Sequence, residues 1–252
     1  MFNNHKTNNK IESVYHKSRR AGLHFTANLS TPQPSRLWVA IWVSVLMISL
    51  VGFVSTPPAL AHADVVSISP ASGASLTTPP TSVSVSFNEP VSTDSKKVQL
   101  LDSTGRVVPT SYAVSQGKDS YTLKPSKRLP RGAYTLRFSV VSADGHTVAA
   151  ASSFAVGALP SGKAFSASFT SAALNQTIRL SSDKVGVVSI SAPPSATSLE
   201  LRHKKIGAAI IVPLVKGSGS TVVPMSGSWS ATLVLRPDKF TEQRLLAQLR
   251  FN

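Results

Sequence analysis

The sequence predicts an all-β protein that follows an N-terminal export signal. Apolar and polar residues alternate in short segments, Pro, Gly, Ser and Asp separate those segments, and no stretch after residue 61 shows a convincing helical period. The spacing of the segments predicts a β-sandwich of about a hundred residues. A second, smaller all-β unit is predicted to follow it.

The first 61 residues have the layout of a signal peptide. A polar, basic stretch precedes an apolar run from Leu37 to Val54, and two prolines follow that run. Ala59-Leu60-Ala61 fits the small-x-small pattern that signal peptidase accepts, so cleavage after Ala61 would make His62 the first residue. The apolar run is also long enough to span a bilayer as an uncleaved anchor. The processing pattern favours cleavage, and we expect an exported protein in the periplasm or on the outer face of the cell envelope.

The strands of the first unit are read from residues that alternate in character. Residues 82–87 alternate Ser with Val or Phe, which is typical of a sheet with one face in water. Residues 133–141 repeat the pattern, with Thr135, Arg137 and Ser139 on the polar face. Further strands are predicted at 98–101 and 153–156.

A linker at residues 158–163 is predicted because Gly157 and Gly162 frame it and the alternation lapses there. This divides the chain after the signal into a domain at 62–157 and a second β-rich domain at 164–252. The second domain has no function that its residues indicate. Its strands are predicted at 185–191, 206–215, 229–235 and 245–251.

Composition and charge exclude several functions. The chain has no cysteine, so it can have neither disulfides nor thiolate metal sites. It carries 26 Lys and Arg against 11 Asp and Glu, a formal net charge of +15, but the basic residues are scattered and are not interleaved with aromatic residues that could stack on bases. We expect no nucleic-acid partner. His203 precedes Lys204 and Lys205 and is expected to be a surface turn residue, because two ammonium groups disfavour a cation nearby.

The candidate site consists of His62 at the predicted new terminus and the tripeptide Asp144-Gly145-His146. An N-terminal histidine offers its amine and its imidazole to one metal, and a second histidine with a carboxylate would complete the tetragonal nitrogen and oxygen set that Cu(II) prefers. Asp144 and His146 are two residues apart and could face the same side of a strand. The alternative is structural, because Asp-Gly between alternating segments is a common hairpin turn.

The sequence resembles the CopC family of copper-resistance proteins. The resemblance covers residues 62 to about 157 and implies an immunoglobulin-like, Greek-key β-sandwich that holds Cu(II) outside the cytoplasm. Four blocks carry it in order: His62 to Gly73, Val85 to Val91, Leu129 to Tyr134, and Val140 to Val148.

The resemblance also implies roles for individual residues. His62 would be a bidentate ligand, His146 the second imidazole and Asp144 the carboxylate beside it. Glu89 would be a weak ligand or the acceptor that orients an imidazole, and the alternative is a carboxylate that merely ends a strand before Pro90.

The predicted function is copper resistance, buffering or delivery, with a membrane copper transporter as a candidate partner. Little affinity for Cu(I) is expected, because Met225 is the only methionine after residue 61. No catalytic arrangement is indicated by the spacing of the residues, so we do not expect an enzyme. Two alternatives stay open, a copper-dependent enzyme like the lytic polysaccharide monooxygenases and a metal-independent envelope adhesion module.

Overall fold

The computed structural model describes residues 63–252; the predicted signal peptide and His62 lie outside this range. The described residues form strands and one short 3-10 turn at Ser95–Lys97, which confirms the all-β prediction. The strands within residues 63–252 are β1 (Val65–Ser69), β2 (Ser75–Leu76), β3 (Val83–Phe87), β4 (Val98–Leu101), β5 (Thr110–Val114), β6 (Ser120–Pro125), β7 (Gly132–Val141), β8 (Thr147–Val156), β9 (Phe165–Thr170), β10 (Asn175–Leu180), β11 (Gly186–Ser191), β12 (Ala196–Arg202), β13 (Ala209–Pro213), β14 (Ser218–Val223), β15 (Gly227–Leu235) and β16 (Gln243–Phe251).

Residues 63–157, called the first lobe here, form a β-sandwich. One sheet has the order β1-β3-β6-β5, and the other contains β8, β7 and β4. Apolar side chains from both sheets form one core, in which the rings of Phe87 and Phe138 lie 5.6 Å apart, edge to face. The predicted sandwich is therefore confirmed.

The alternating pattern identified the inward faces of β3 and β7 correctly. Val83, Val85 and Phe87 are buried, and so are the four apolar residues of β7, Tyr134, Leu136, Phe138 and Val140. Because side chains alternate along a strand, a single face supplies this burial. Each such side chain contributes about 1.5–3 kcal/mol when it is fully buried.

The opposite face of β7 differs from the prediction. Thr135 was expected on a face exposed to water, but it is fully buried. Ala133 and Ala155, on the same face, pack with Val222 from β14, and the Ser153 hydroxyl donates a 2.5 Å hydrogen bond to the Val222 carbonyl. The prediction was wrong here because small side chains let another part of the chain cover this face.

Residues 164–252, called the second lobe here, form a sheet in the order β14-β11-β10-β9-β16-β15-β12-β13. The sheet folds around its own core, in which Trp229 and Phe251 are buried and pack edge to face. The predicted strands near its end are present as β15 and β16, which pair from Gly227 opposite Phe251 to Leu235 opposite Gln243. The predicted strand at 206–215 is shorter and spans only β13.

The two lobes are joined through strand pairing. β13 pairs in parallel with β8 at Ile210 and Ala151, so a twelve-stranded sheet continues from the second lobe into the first. Gly73 has a φ of +78°, and a Cβ there would lie 3.1 Å from the Ser220 carbonyl oxygen. Glycine is required at this close approach. The domain boundaries around residues 158–163 stay a prediction.

In residues 63–252 no helix has the length and apolar character to cross a bilayer. The apolar run from Leu37 to Val54 lies outside the described residues.

Candidate metal centre

The tripeptide Asp144-Gly145-His146 lies in the turn between β7 and β8. The Ser142 amide donates to the His146 carbonyl at 2.9 Å, and the Gly145 amide donates to the Ser142 carbonyl at 3.0 Å. Gly145 has a φ of +86°, which glycine adopts without the steric cost that a side chain would add. The hairpin expected from the Asp-Gly pair is therefore present, and it fixes the backbone on which both candidate ligands stand.

The Asp144 carboxylate is the centre of a small hydrogen-bond network. Its Oδ1 accepts from the Ser142 hydroxyl and from the His146 amide, the latter at 3.0 Å. Its Oδ2 lies 2.9 Å from His146 Nδ1. These contacts, the Ser142 hydroxyl first, hold the pKa of Asp144 well below its usual range, so the carboxylate stays charged in mild acid.

The contact between Asp144 and His146 orients the imidazole. It uses Nδ1, so a metal bound by His146 while this contact lasts would be coordinated by Nε2. The His146 side chain is 69% exposed, whereas that of Asp144 is 17% exposed. The imidazole therefore extends from the turn into solvent, and the carboxylate lies beneath it.

Glu89 follows β3 and lies against the same turn. Its Oε1 accepts a 3.1 Å hydrogen bond from the Ala143 amide, so it holds the turn from the neighbouring sheet. This contact is structural, because it joins the end of β3 to the backbone of the turn. Glu89 thus contacts the residue that precedes Asp144. Its role toward a metal stays a prediction.

The beginning of the described chain is fixed beside Glu89. The Asp64 amide donates to Asn88 Oδ1 at 2.8 Å, and the Asn88 amide donates to the Asp64 carbonyl at 3.1 Å. Ala63 is buried and belongs to the core of the first lobe. Two successive residues, Asn88 and Glu89, thus contact the start of the described chain and the turn that carries His146.

Among protein-family models, the CopC domain matches residues 65–157, which lie in the first lobe. The chain contains a CopC domain. Among curated proteins, the copper transport protein CutJ of Bacillus subtilis (strain 168) is 34% identical over 119 residues, which is 46% of this chain and 21% of that protein. The chain thus spans about a fifth of that relative's length.

Solved structures of similar chains include two copper proteins. CopC from Methylosinus trichosporium OB3b is 28% identical, with a TM-score of 0.34, over 38% of this chain and 93% of that one. PcoC, a methionine-rich copper resistance protein from Escherichia coli, is 22% identical, with a TM-score of 0.33, over 38% of this chain and 99% of that one.

The predicted ligand set is only partly within the described structure. The CopC domain brings Asp144 and His146 into contact and places Glu89 against their turn, whereas His62 lies outside the described residues. Within residues 63–252 no group of three or more His, Cys, Asp or Glu side chains is arranged to hold a metal ion.

Two side chains near the candidate ligands were missed by the sequence analysis. Ser142 contacts Asp144, and its hydroxyl also donates to the His146 carbonyl at 2.9 Å. Asn88 holds the backbone at Asp64. A signal existed for Ser142, because Ser and Asp in turns commonly hydrogen-bond groups two residues away. No local pattern pointed to Asn88.

Met225 and His203, which lie outside the CopC domain, are both buried. Met225 is 1% exposed in the core of the second lobe, where its carbonyl accepts from Trp229 Nε1 at 3.1 Å. His203 was expected on the surface, and this was wrong: it is 7% exposed, and its ring centroid lies 4.9 Å from that of Trp229. The turn after β12 folds the imidazole over an indole that is distant in sequence.

Proposed function

We propose that the CopC domain binds one Cu(II) ion outside the cytoplasm, through His62, His146 and Asp144. The observation that carries the proposal is the contact between Asp144 and His146 in a turn that Glu89 also holds. The start of the described chain, fixed by Asn88 beside Glu89, supports the placement of His62 near this turn. Removal of residues 1–61 on export would free the amine of His62 for coordination.

The chemistry of this donor set favours Cu(II). The amine and imidazole of His62 would form a chelate ring, and His146 would add a second imidazole. The Asp144 carboxylate would add an oxygen by exchanging its contact with His146 Nδ1 for the copper ion. The amine and both imidazoles must lose protons to coordinate, whereas the Asp144 carboxylate is already charged. Copper affinity should therefore fall from pH 7 to pH 5. A titration with equal affinity at both pH values would contradict the proposed ligands.

Preference for Cu(II) over Cu(I) is part of the proposal. Cu(I) is favoured by soft thioether and thiolate ligands, the chain has no cysteine, and Met225 is buried in the second lobe. Competition with chelators selective for each oxidation state measures the preference. Tighter binding of Cu(I) would overturn this part of the proposal.

Intact mass of the exported protein, with and without Cu(II), tests the terminus and the metal count together. We expect a chain that begins at His62 and gains one copper ion. A matched variant that begins at Ala61 keeps every proposed side chain but moves the amine one residue away from the imidazole. Its Cu(II) affinity should fall at least about tenfold, as expected when a metal site is disrupted. Equal affinity would exclude the amine as a ligand, and retention of residues 1–61 would exclude cleavage.

The biological role proposed for bound copper is resistance, buffering or delivery. The names of the relatives, a copper transport protein and a copper resistance protein, support this range of roles. Transfer of copper from the loaded protein to a membrane copper transporter, faster than release into buffer, distinguishes delivery from the other two roles.

A binding role without catalysis is proposed. The carboxylate beside His146 would occupy a copper position that an oxygen-activating enzyme keeps open. Release of oxidised sugars from chitin or cellulose, with copper and a reductant, would instead establish the enzyme alternative. A thermal unfolding midpoint that Cu(II) leaves unchanged would favour the adhesion module, because a ligand that binds only the folded state must stabilise it.

A further inference from the structure

Four loops of the second lobe lie together at one end of its sheet. They join β9 to β10, β11 to β12, β13 to β14 and β15 to β16. Antiparallel pairing brings them together, because Leu235 at the end of β15 pairs with Ala196 at the start of β12 and with Gln243 at the start of β16. Thr170, at the end of β9, pairs with Leu246 near the same end of β16.

Backbone hydrogen bonds join three of these loops to one another. The Arg236 amide donates to the Ser195 carbonyl at 2.8 Å, which links the last loop to the one before β12. The Ala192 amide donates to the Gly217 carbonyl at 2.9 Å, which links that loop to the one after β13. The four loops, called the tip here, are residues 171–174, 192–195, 214–217 and 236–242.

The contacts between the two lobes lie away from the tip. Arg137 donates to the Ile206 carbonyl at 3.1 Å, and Lys205 Nζ donates to the Thr104 carbonyl at 2.9 Å. Both contacts use the turn between β12 and β13, at the opposite end of β12 from the tip. Val222, which also contacts the first lobe, lies near the end of β14, whereas the tip precedes its start. Within residues 63–252, the first lobe thus leaves the tip open to solvent.

Phe240 protrudes from the loop between β15 and β16. It is 97% exposed, the highest value for a large apolar side chain in residues 63–252. The backbone beneath it is fixed, because Asp238 Oδ1 accepts from the amides of Phe240 and Thr241, each at 2.8 Å. The ring is therefore held in water on an ordered turn, and an apolar phase that received it would recover the free energy of its hydration.

Val215 protrudes from the neighbouring loop in a similar way. It is 74% exposed, the next highest value in the same range. Val215 and Ser218 exchange two backbone hydrogen bonds, at 2.9 and 3.0 Å, across a two-residue turn. Lys216 and Gly217 in that turn have φ of +50° and +77°, as a tight hairpin requires. The tip thus presents two apolar side chains on separate, ordered loops.

The charge that is free at the tip is positive. Each protruding side chain has a lysine as its neighbour in sequence, Lys239 or Lys216, and neither lysine forms an ion pair in residues 63–252. The four loops contain two acidic residues, and both have partners. Asp238 accepts from turn amides, and Glu242 pairs with two arginines at 2.9 and 3.1 Å.

A bilayer that contains anionic lipids fits this arrangement better than a folded protein does. The two apolar side chains protrude from different loops, so a protein partner would need a separate pocket for each. The interface of a bilayer accepts single apolar and aromatic side chains wherever they reach it. Anionic headgroups also attract lysines that lie beside the inserted side chains.

We propose that the tip docks on an anionic lipid bilayer, with Phe240 and Val215 in the interface and Lys216 and Lys239 at the headgroups. The proposal does not depend on the copper ligands, which belong to the first lobe. Docking places the bilayer at the end of the second lobe that lies opposite its contacts with the CopC domain.

Tryptophan fluorescence of the exported protein tests whether the tip enters a bilayer. Trp229 is the only tryptophan in residues 63–252 and is fully buried, so Phe240→Trp adds one reporter at the tip. Vesicles of equal parts phosphatidylcholine and phosphatidylglycerol should shift its emission to shorter wavelength, and brominated lipids should quench it. Leu246→Trp is the control, because Leu246 is 62% exposed on a strand, and it should show neither effect. No response at Phe240→Trp, or the same response in the control, would overturn the proposal and favour a protein partner.

Paired variants separate insertion at the tip from general surface hydrophobicity. Val215→Ser/Phe240→Ser should weaken co-sedimentation with the same vesicles by at least about fivefold, because it removes both inserted side chains. The control Ile211→Ser/Leu246→Ser removes two side chains that are 52% and 62% exposed on strands β13 and β16, and its binding should change by less than about twofold. Equal losses in the two double variants would contradict docking through the tip. Circular dichroism checks that both are folded.

The lipid composition tests the role of the two lysines. Vesicles of phosphatidylcholine alone should bind the protein at least about fivefold more weakly than the anionic vesicles. Lys216→Gln/Lys239→Gln should reduce this difference, whereas Lys127→Gln/Arg128→Gln, which changes two exposed cationic residues of the first lobe, should leave it nearly unchanged. Equal binding to both kinds of vesicle, or equal effects of the two double variants, would overturn docking on an anionic surface.

Discussion

The two histidines in residues 63–252 both lie in or beside turns between antiparallel strands, but their surroundings are opposite. His146, in the β7–β8 turn, is 69% exposed and contacts the Asp144 carboxylate. His203, at the β12–β13 turn, is 7% exposed, packs at a tilt against the Trp229 ring and precedes two lysines. The same residue type in the same kind of element therefore meets an anion in one lobe and cations in the other.

The difference shows which features suit a histidine to bind a metal. The carboxylate at His146 orients the ring and adds negative charge where a cation would bind. At His203 the Lys205 amide donates to Nδ1 at 3.3 Å, and the indole covers a face of the ring. Burial and the neighbouring lysines lower the pKa of His203, because each disfavours positive charge. His203 is thus a core residue, whereas the surroundings of His146 support its proposed role as a metal ligand.

Replacing each histidine is the most direct way to break this comparison, and it should give the largest effect. His146→Ala removes a proposed ligand and should weaken Cu(II) binding by at least about 100-fold. His203→Gln should change Cu(II) affinity by less than about twofold, although it can lower stability. Competition titration with a Cu(II) chelator measures both. A similar loss in the two variants would contradict the assignment of the site to His146.

Replacing the carboxylate sharpens the comparison with a matched control. Asp144→Asn removes the charge beside His146 and should cost about 10- to 100-fold in Cu(II) affinity. Asp238→Asn is the control, because Asp238 also accepts hydrogen bonds from turn amides, those of Phe240 and Thr241 at 2.8 Å, in the second lobe. The same titration measures both variants. Unchanged binding by Asp144→Asn would restrict Asp144 to a structural role.

In the metal-free protein, acidification should lower the free energy of unfolding because of His203. The pKa of His203 is lowered in the folded chain, so below about pH 6.5 the unfolded chain binds a proton that the folded chain resists. Stability should fall as the pH drops from about 6.5 toward the lower folded pKa, and it should not depend on this group above that window. Urea unfolding at pH 7.5 and 5.5 measures the change. His203→Gln should show a smaller decrease, and an equal decrease would contradict the assignment.

Replacing Glu89 should give the smallest effect on copper. Glu89→Gln keeps an oxygen that can accept from the Ala143 amide, so Cu(II) affinity should change by less than about threefold. Glu89→Ala removes the acceptor and should lower the free energy of unfolding by about 1 kcal/mol. Chelator competition and urea unfolding measure the two effects. A tenfold loss of affinity in Glu89→Gln would instead identify Glu89 as a ligand.

Much of the fold followed from alternation along single strands. β3 and β7 were predicted because their apolar residues occupy every second position and reach one core. Alternation gives no information on what covers the other face. Thr135 was therefore misjudged, because the face that it shares with Ser153 is covered by Val222, which lies far along the chain. The twelve-stranded sheet that both lobes share could not be predicted either, because a single parallel pair at Ile210 and Ala151 creates it.

The candidate site was predictable where its contacts are local. Asp144 and His146 meet because they are two residues apart in one turn, and not because they share a face of a strand as their spacing suggested. The contact of Glu89 with Ala143 joins two sheets, and only the family resemblance pointed to Glu89. His203 was misjudged because its charged neighbours are visible in the sequence, whereas its packing against Trp229 is not.

Strand β8 fixes the distance between His146 and the point where the second lobe pairs with the first. It begins immediately after His146 and pairs with β13 at Ala151, five residues further on. At about 3.3 Å per residue, the end of the second lobe's sheet lies roughly 17 Å along the strand from that histidine. If copper binds at His146 as proposed, an acceptor that anchors at the Ile210–Ala151 pair would have to extend over about this length to reach it.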